Sequence, residues 1–125
     1  MVSMYDRSIL LIDDDEGIRE ALGELLREEG FAVDTAANGL EAMRWLTEHR
    51  PPSCVLLLDL MMPVMSGGEF LGRKQTDPLV SPYPVVIITA SANAGAFKRT
   101  PDIRACLSKP IEMPELLAAI ESCCQ

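Results

Sequence analysis

The sequence is poorest in the residues that build soft-metal sites and nucleic-acid surfaces. Its 125 residues include one histidine, His49, and four cysteines, Cys54, Cys106, Cys123 and Cys124, with no C-x-x-C pair. Zinc frameworks need thiols or imidazoles paired at fixed spacing, so a zinc site is not expected. Two cysteines fall in expected strands and two at the C-terminus, which reads as buried or terminal thiols in a reducing compartment. Eleven Lys and Arg residues are scattered against nineteen Asp and Glu, for a net charge of −8. With no basic stripe to meet phosphate backbones or anionic lipid, direct nucleic-acid binding is not expected. No apolar run approaches the roughly 20 residues of a membrane span, and the N-terminus lacks a signal-peptide layout. The chain is therefore expected to be cytoplasmic, with no membrane partner.

What is present suits one globular domain over residues 1–125, with 48% hydrophobic and 24% charged residues. No internal repeat, low-complexity tract or linker interrupts it. Ser8 to Ile12 (SILLI) is a short apolar run that fits a strand buried on both faces. Ile18, Ala21, Leu22, Leu25 and Leu26 recur at helical spacing, and Gly30 is the expected stop. Phe31 to Thr35 predicts a second, weaker strand. Asn38 with Glu41 resembles a helix start, carrying Leu40, Met43 and Leu46 on one face. Cys54 to Leu58 (CVLLL) predicts the third strand, and Ser66 with Glu69 a capping box for a helix from Gly67 to about Gln75. Pro84 to Ile88 predicts the fourth strand, closing on Thr89 and Ala90. Helical turns are expected within Ser91 to Arg99, a fifth strand over Ile103 to Leu107, and a last helix with Pro114 in its first turn and Leu116, Leu117 and Ile120 as its apolar face.

Five strands alternating with five helical segments predict an α/β fold, a parallel sheet with helices on both faces. Ligands bind beyond the carboxyl ends of the strands in such a sheet. There the sequence puts Asp13 and Asp14, then Asp59, Thr89 and Lys109, each at the end of a different strand. Asp59 directly follows three leucines; a carboxylate within an apolar strand costs several kcal/mol unless paired, so it is expected where the strand emerges. Carboxylates gathered at one rim repel unless a cation joins them, and their hard oxygens suit Mg²⁺. Calcium is a weaker choice, since nothing resembles an EF-hand loop. Metal, lysine and hydroxyl together describe a phosphoryl site, with Asp59 as the nucleophile that can form an acyl phosphate. Singly, each of these residues has a bland explanation as a loop or turn residue.

IDDDEGIREAL, LLLDLMMPVMSGG, VVIITAS and LSKPI, in this order and spacing, resemble the receiver domain of two-component response regulators over roughly residues 6 to 122. The resemblance implies a CheY-like, flavodoxin-like doubly wound sheet of five strands in the order 2-1-3-4-5 with five helices. It implies transfer of a phosphoryl group from the phosphohistidine of a sensor histidine kinase or phosphotransfer protein onto Asp59, with Mg²⁺ required. Asp14 is then the direct metal ligand and Asp13 its companion, acting mostly through water; Asp59 and the backbone carbonyl of Met61 complete the protein ligands. Thr89 would bind a phosphoryl oxygen through its hydroxyl, Ala90 through its N–H and Lys109 by ion pairing. Pro110 matches a proline whose preceding bond is commonly cis. Asp15, the third of the consecutive aspartates, is expected to face solvent near the start of the first helix.

The sequence departs from the family pattern in its switch. With Thr89, the usual partner is an aromatic three residues before the lysine, and here that position is Cys106. The fourth helical segment is short, Lys109 following Thr89 by only 20 positions. Met61 and Ser91 stand where an acid or amide would orient an attacking water, so slow self-dephosphorylation is expected. The implied output is altered binding to an unknown downstream effector, and a phosphorylation-linked dimer is left open. Two other readings compete: a pseudo-receiver that binds partners without phosphorylation, and a haloacid dehalogenase-type phosphohydrolase. The second lacks the acid that family needs two residues after the nucleophile, because Met61 is there.

Overall fold

A computed structural model describes residues 8–62, 64–90 and 102–123. The strands are β1 (Ser8–Ile12), β2 (Ala32–Ala36), β3 (Cys54–Asp59), β4 (Val85–Thr89) and β5 (Ile103–Ser108). They form one parallel sheet in the order β2-β1-β3-β4-β5, as expected. The helices among the described residues are α1 (Glu16–Glu28), α2 (Gly39–His49), α3 (Gly67–Thr76) and α4 (Met113–Ser122). The turns expected within Ser91 to Arg99 lie outside the described residues, so four helices stand where five were expected.

Strand side chains alternate between two cores. Leu10, Ile12, Leu56, Leu58, Val85 and Ile87 join one with Ala42, Leu46, Phe70 and Leu71 of α2 and α3. Ile9, Leu11, Val55, Leu57, Val86 and Ile88 join the other with Leu22, Leu26, Leu116 and Ile120 of α1 and α4. At roughly 1.5–3 kcal/mol for each large apolar side chain removed from water, these two layers dominate the stability of the fold. In β5 the register slips between Val85 and Val86, which pair with Ile103 and Ala105 and leave Arg104 as an extra residue. That bulge turns Ile103 and Cys106 toward the α2/α3 core and Leu107 toward the other.

Local signals explain the helix ends. Asp15 caps α1 by accepting from the Ile18 N–H at 3.1 Å, so it is exposed, as expected, but also has a structural task. Gly30 adopts φ 99° after α1, and the Phe31 N–H reaches back to the Leu26 carbonyl, closing the helix through a left-handed residue. Ser66 caps α3, as expected: its Oγ accepts from the Glu69 N–H at 3.2 Å and donates to Glu69 Oε1 at 3.5 Å.

Two expected apolar faces need correction. On α2, Leu46 is buried and Met43 packs against the core as expected, but Leu40 is 41% exposed, and Gly39 and Ala42 are the other buried positions. Gly39 is buried because Met65 packs so closely that a Cβ there would meet its sulfur at 2.8 Å. On α1 only Leu22 and Leu26 of the expected face are buried. Ile18, Ala21 and Leu25 instead line a groove of about 330 Å³ with Pro110 and Ile111, beside Lys109.

Candidate functional site at the carboxyl rim of the sheet

The site follows from strand register. Ile12 pairs with Leu58, so the next residues, Asp13 and Asp59, leave adjacent strands side by side. Asp59 is the last residue of β3 and is buried, as is Asp13; Asp14 is exposed. Among the described residues, carboxylate oxygens of Asp13, Asp14 and Asp59 lie within 4.8 Å of one another. Asp59 pairs with Ile88 in β4, which brings Thr89 one step further along the same rim. Thr89 pairs with Ser108, and the Lys109 N–H donates to the Thr89 carbonyl at 2.9 Å, fixing where the lysine leaves β5.

Lys109 Nζ then returns across the rim, 3.1 Å from Asp13 Oδ2 and 3.6 Å from Asp59 Oδ2. The other carboxylate oxygens have backbone donors. Asp13 Oδ1 accepts from the Asp15 N–H at 2.9 Å, and Asp59 Oδ1 from the Met61 N–H at 3.1 Å. Burial pushes the Asp59 carboxyl above its ordinary range; the Met61 N–H and Lys109 oppose this, while Asp13 and Asp14 add to it. For Lys109, burial is the largest single influence and lowers its pKa, yet the Asp13 hydrogen bond and the charges of Asp13 and Asp59 together outweigh it and hold the ammonium above its usual value.

A hard divalent ion fits this donor set, because three carboxylates converge and one buried aspartate is ionised only at a cost. Gly67 lets the loop after β3 return against the Leu60 backbone at the end of the strand. Its N–H donates to the Leu60 carbonyl at 3.1 Å, and a Cβ there would lie 2.6 Å from Leu60 Cα and 3.0 Å from the Asp59 carbonyl. The loop also holds Val64 at φ 68° with its side chain 74% exposed, a left-handed conformation that a β-branched residue rarely adopts. Met61 contributes its N–H to Asp59 while its side chain is 68% exposed.

Ala90 is exposed just past β4. Cys106 pairs with Ile87 and is half-buried against the α2/α3 core, on the face that Thr89 continues two residues on from Ile87. Burial raises its thiol pKa, and pushes that of Cys54 up to about 12. The Lys109–Pro110 peptide bond is cis. Ser91 and Cys124 lie outside the described residues.

Sequence reasoning missed Arg19, whose guanidinium donates to the Asp13 carbonyl at 2.7 Å, and Lys74, fully buried between the Ser81 carbonyl at 2.7 Å and Asp102 at 3.3 Å. Lys74 was detectable: with Gly67, Phe70 and Leu71 it continues the buried stripe of α3 at helical spacing.

A five-stranded parallel sheet in this order, with carboxylates, a threonine and a lysine on its carboxyl rim, defines a doubly wound α/β domain of the CheY-like, flavodoxin-like class. The chain belongs to the response regulator receiver domain family of signalling domains, whose model matches residues 9–121. It is 37% identical over 120 residues to Response regulator Rre1 of a Synechocystis species, covering 92% of this chain and 50% of that protein. It is 32% identical to Sporulation initiation phosphotransferase F of Bacillus subtilis, covering 94% of each. Among solved structures it resembles response regulator TrrA of Thermotoga maritima in complex with Mg(2+)-BeF, with TM-score 0.79 and 28% identity over 93% of this chain and 97% of that one. The chain thus spans half the length of one relative and nearly all of the other. No helix among the described residues is long and apolar enough to cross a membrane.

Proposed function

We propose that this chain accepts a phosphoryl group on Asp59 from the phosphohistidine of a sensor histidine kinase or phosphotransfer protein in the cytoplasm, and that this changes its binding to a downstream effector. One observation carries the reading: Lys109 Nζ bridges Asp13 and Asp59 at 3.1 and 3.6 Å inside a cluster of three carboxylates. In the reaction an Asp59 oxygen attacks phosphorus, the new P–O bond forms as the donor's P–N bond breaks, and the electron pair returns to the imidazole.

Lys109 lies where it can pair with the phosphoryl oxygens, with the Thr89 hydroxyl and the Ala90 N–H as further donors. Asp13, Asp14, Asp59 and the Met61 carbonyl would hold Mg²⁺. When bound, the ion offsets negative charge on the carboxylates and the phosphoryl group. Complex formation by TrrA with Mg(2+)-BeF supports that assignment by similarity. The groove of Ile18, Ala21, Leu25, Pro110 and Ile111 borders Lys109, so a donor protein presenting its histidine to Asp59 has apolar surface to bury within reach of the site. Thr89 and Cys106, on one face of neighbouring strands, form the switch pair.

The test is intact-protein mass after incubation with acetyl phosphate, with and without Mg²⁺, for the wild type and Asp59→Asn. A Mg²⁺-dependent gain of one phosphoryl group, lost in the variant, is expected. No gain by folded wild type with reagent of confirmed activity overturns the reading in favour of phosphorylation-independent partner binding.

A further inference from the structure

Every polar group of the Asp13 main chain and side chain is engaged, and one of its partners is a charged side chain to which the phosphoryl reading gives no role. The Asp13 N–H donates to the Ala36 carbonyl at 3.1 Å, Oδ1 accepts from Asp15, and Oδ2 accepts from Lys109. The remaining group, the Asp13 carbonyl, accepts from Arg19 Nη1 at 2.7 Å, a charge-assisted bond reaching back six residues from α1. That carbonyl belongs to the peptide joining Asp13 to Asp14. Its orientation sets the direction in which the chain leaves β1, and so where the exposed Asp14 carboxylate points.

We propose that Arg19 is a positioning residue for the divalent cation: by holding the Asp13–Asp14 peptide at its oxygen, it aims the Asp14 carboxylate at the site shared with Asp13 and Asp59. The inference deepens the Mg²⁺ reading of the rim and rests on it. The sign of the effect separates it from a purely electrostatic role. A guanidinium near a cation site repels the incoming ion, so if Arg19 acted only as a charge, removing it would tighten Mg²⁺ binding. If it acts by positioning, removing it weakens binding. Arg19 lies in a polar hollow with Glu16, Glu20 and Arg27, whose two acids balance its two bases, so a purely electrostatic role is weak and the second outcome is favoured. One donor to one carbonyl is within a lysine's ability, so Arg19→Lys should restore what a variant without a comparable donor loses.

The experiment is calorimetric titration of the metal-free protein with MgCl₂, for wild type, Arg19→Met, Arg19→Gln and Arg19→Lys, with thermal melts in EDTA alongside. Expected is a loss of affinity of about tenfold in Arg19→Met, the low end for partners that orient metal ligands, and recovery of most of it in Arg19→Lys. Unchanged or tighter binding by folded Arg19→Met, while the wild type binds, overturns the inference and leaves the metal site intact. A lower melting midpoint in EDTA with unchanged affinity means a merely structural role and also overturns it. If Arg19→Met does not fold, Arg19→Lys must bind more tightly than Arg19→Gln; the reverse order or equal affinities sink the idea. A wild type that binds no Mg²⁺ overturns the metal site and the inference together.

Discussion

Asp13 and Asp59 stand one step beyond the Ile12–Leu58 pair of two adjacent strands, and among the described residues a single ammonium, that of Lys109, lies within 3.6 Å of both carboxylates. Lysine supplies one positive charge among three carboxylates, so the rim keeps an excess of negative charge that its burial makes costly.

Asp59→Asn should therefore stabilise the metal-free protein near neutral pH. The folded-state pKa of Asp59 is raised, so protonated Asp59 favours the fold below the ordinary carboxylate range, and that stabilisation is lost as pH rises through the folded value. Melts in EDTA across pH 4–8 should show the wild type losing more stability over the rise than the variant. Parallel curves would show that ionised Asp59 is not strained.

Gly67→Ala should cost about 2 kcal/mol or more, because the added Cβ would meet Leu60 backbone at 2.6 Å and backbone cannot swing aside like a side chain. At Gly68 a Cβ would find only Ser66 Oγ, at 3.9 Å, so Gly68→Ala should be neutral or slightly stabilising. Urea unfolding of the two variants checks the contrast.

Lys74→Met should destabilise by about 2 kcal/mol. The buried ammonium itself is held at a desolvation cost, which lowers its pKa against the opposing pull of Asp102, but its loss takes away the donor to the Ser81 carbonyl and a charged partner of Asp102. The phosphorylation yield with acetyl phosphate, well away from this pair, should remain at the wild-type level.

Val64→Gly should stabilise by up to about 1 kcal/mol. Relief of left-handed strain in a β-branched residue, roughly 1–2 kcal/mol, exceeds the added chain entropy of glycine, and a side chain 74% exposed gives up little burial. Urea midpoints measure it; a destabilised variant would mean the valine is held by contacts that outweigh its strain.

Met61→Gln should speed loss of the phosphoryl group about tenfold, since an amide two residues after Asp59 can orient an attacking water and a thioether cannot. Following the phosphorylated mass with time after removal of acetyl phosphate tests this, and equal lifetimes would put the control of hydrolysis elsewhere.

Much of the fold was legible because its signals are local. SILLI and CVLLL are apolar runs too short for helices, the capping residues Asn38 and Ser66 precede α2 and α3, and Gly30 and Pro114 mark a helix end and a helix start. The four motifs together pointed to the family before any geometry was known. What misled was helical phase. Leu40 and Leu25 fit an apolar period, but which side of a helix is covered depends on its neighbours, and there Gly39 meets Met65 while Leu25 faces an open groove.

The sequence by itself determined the order of the strands and described helices and the residue types at the carboxyl rim, because periodicity, turn residues and side-chain donor type are properties of neighbours along the chain. Only the tertiary structure decided that Asp13 and Asp59 stand side by side, that Lys109 spans them, that Arg19 holds the Asp13 carbonyl, and that Lys74 is buried beside Asp102. Except for Arg19, these relationships join residues far apart in sequence, set by strand register and crossover packing; for Arg19 it is the path of the side chain across the first turn of α1, which helical spacing alone does not specify.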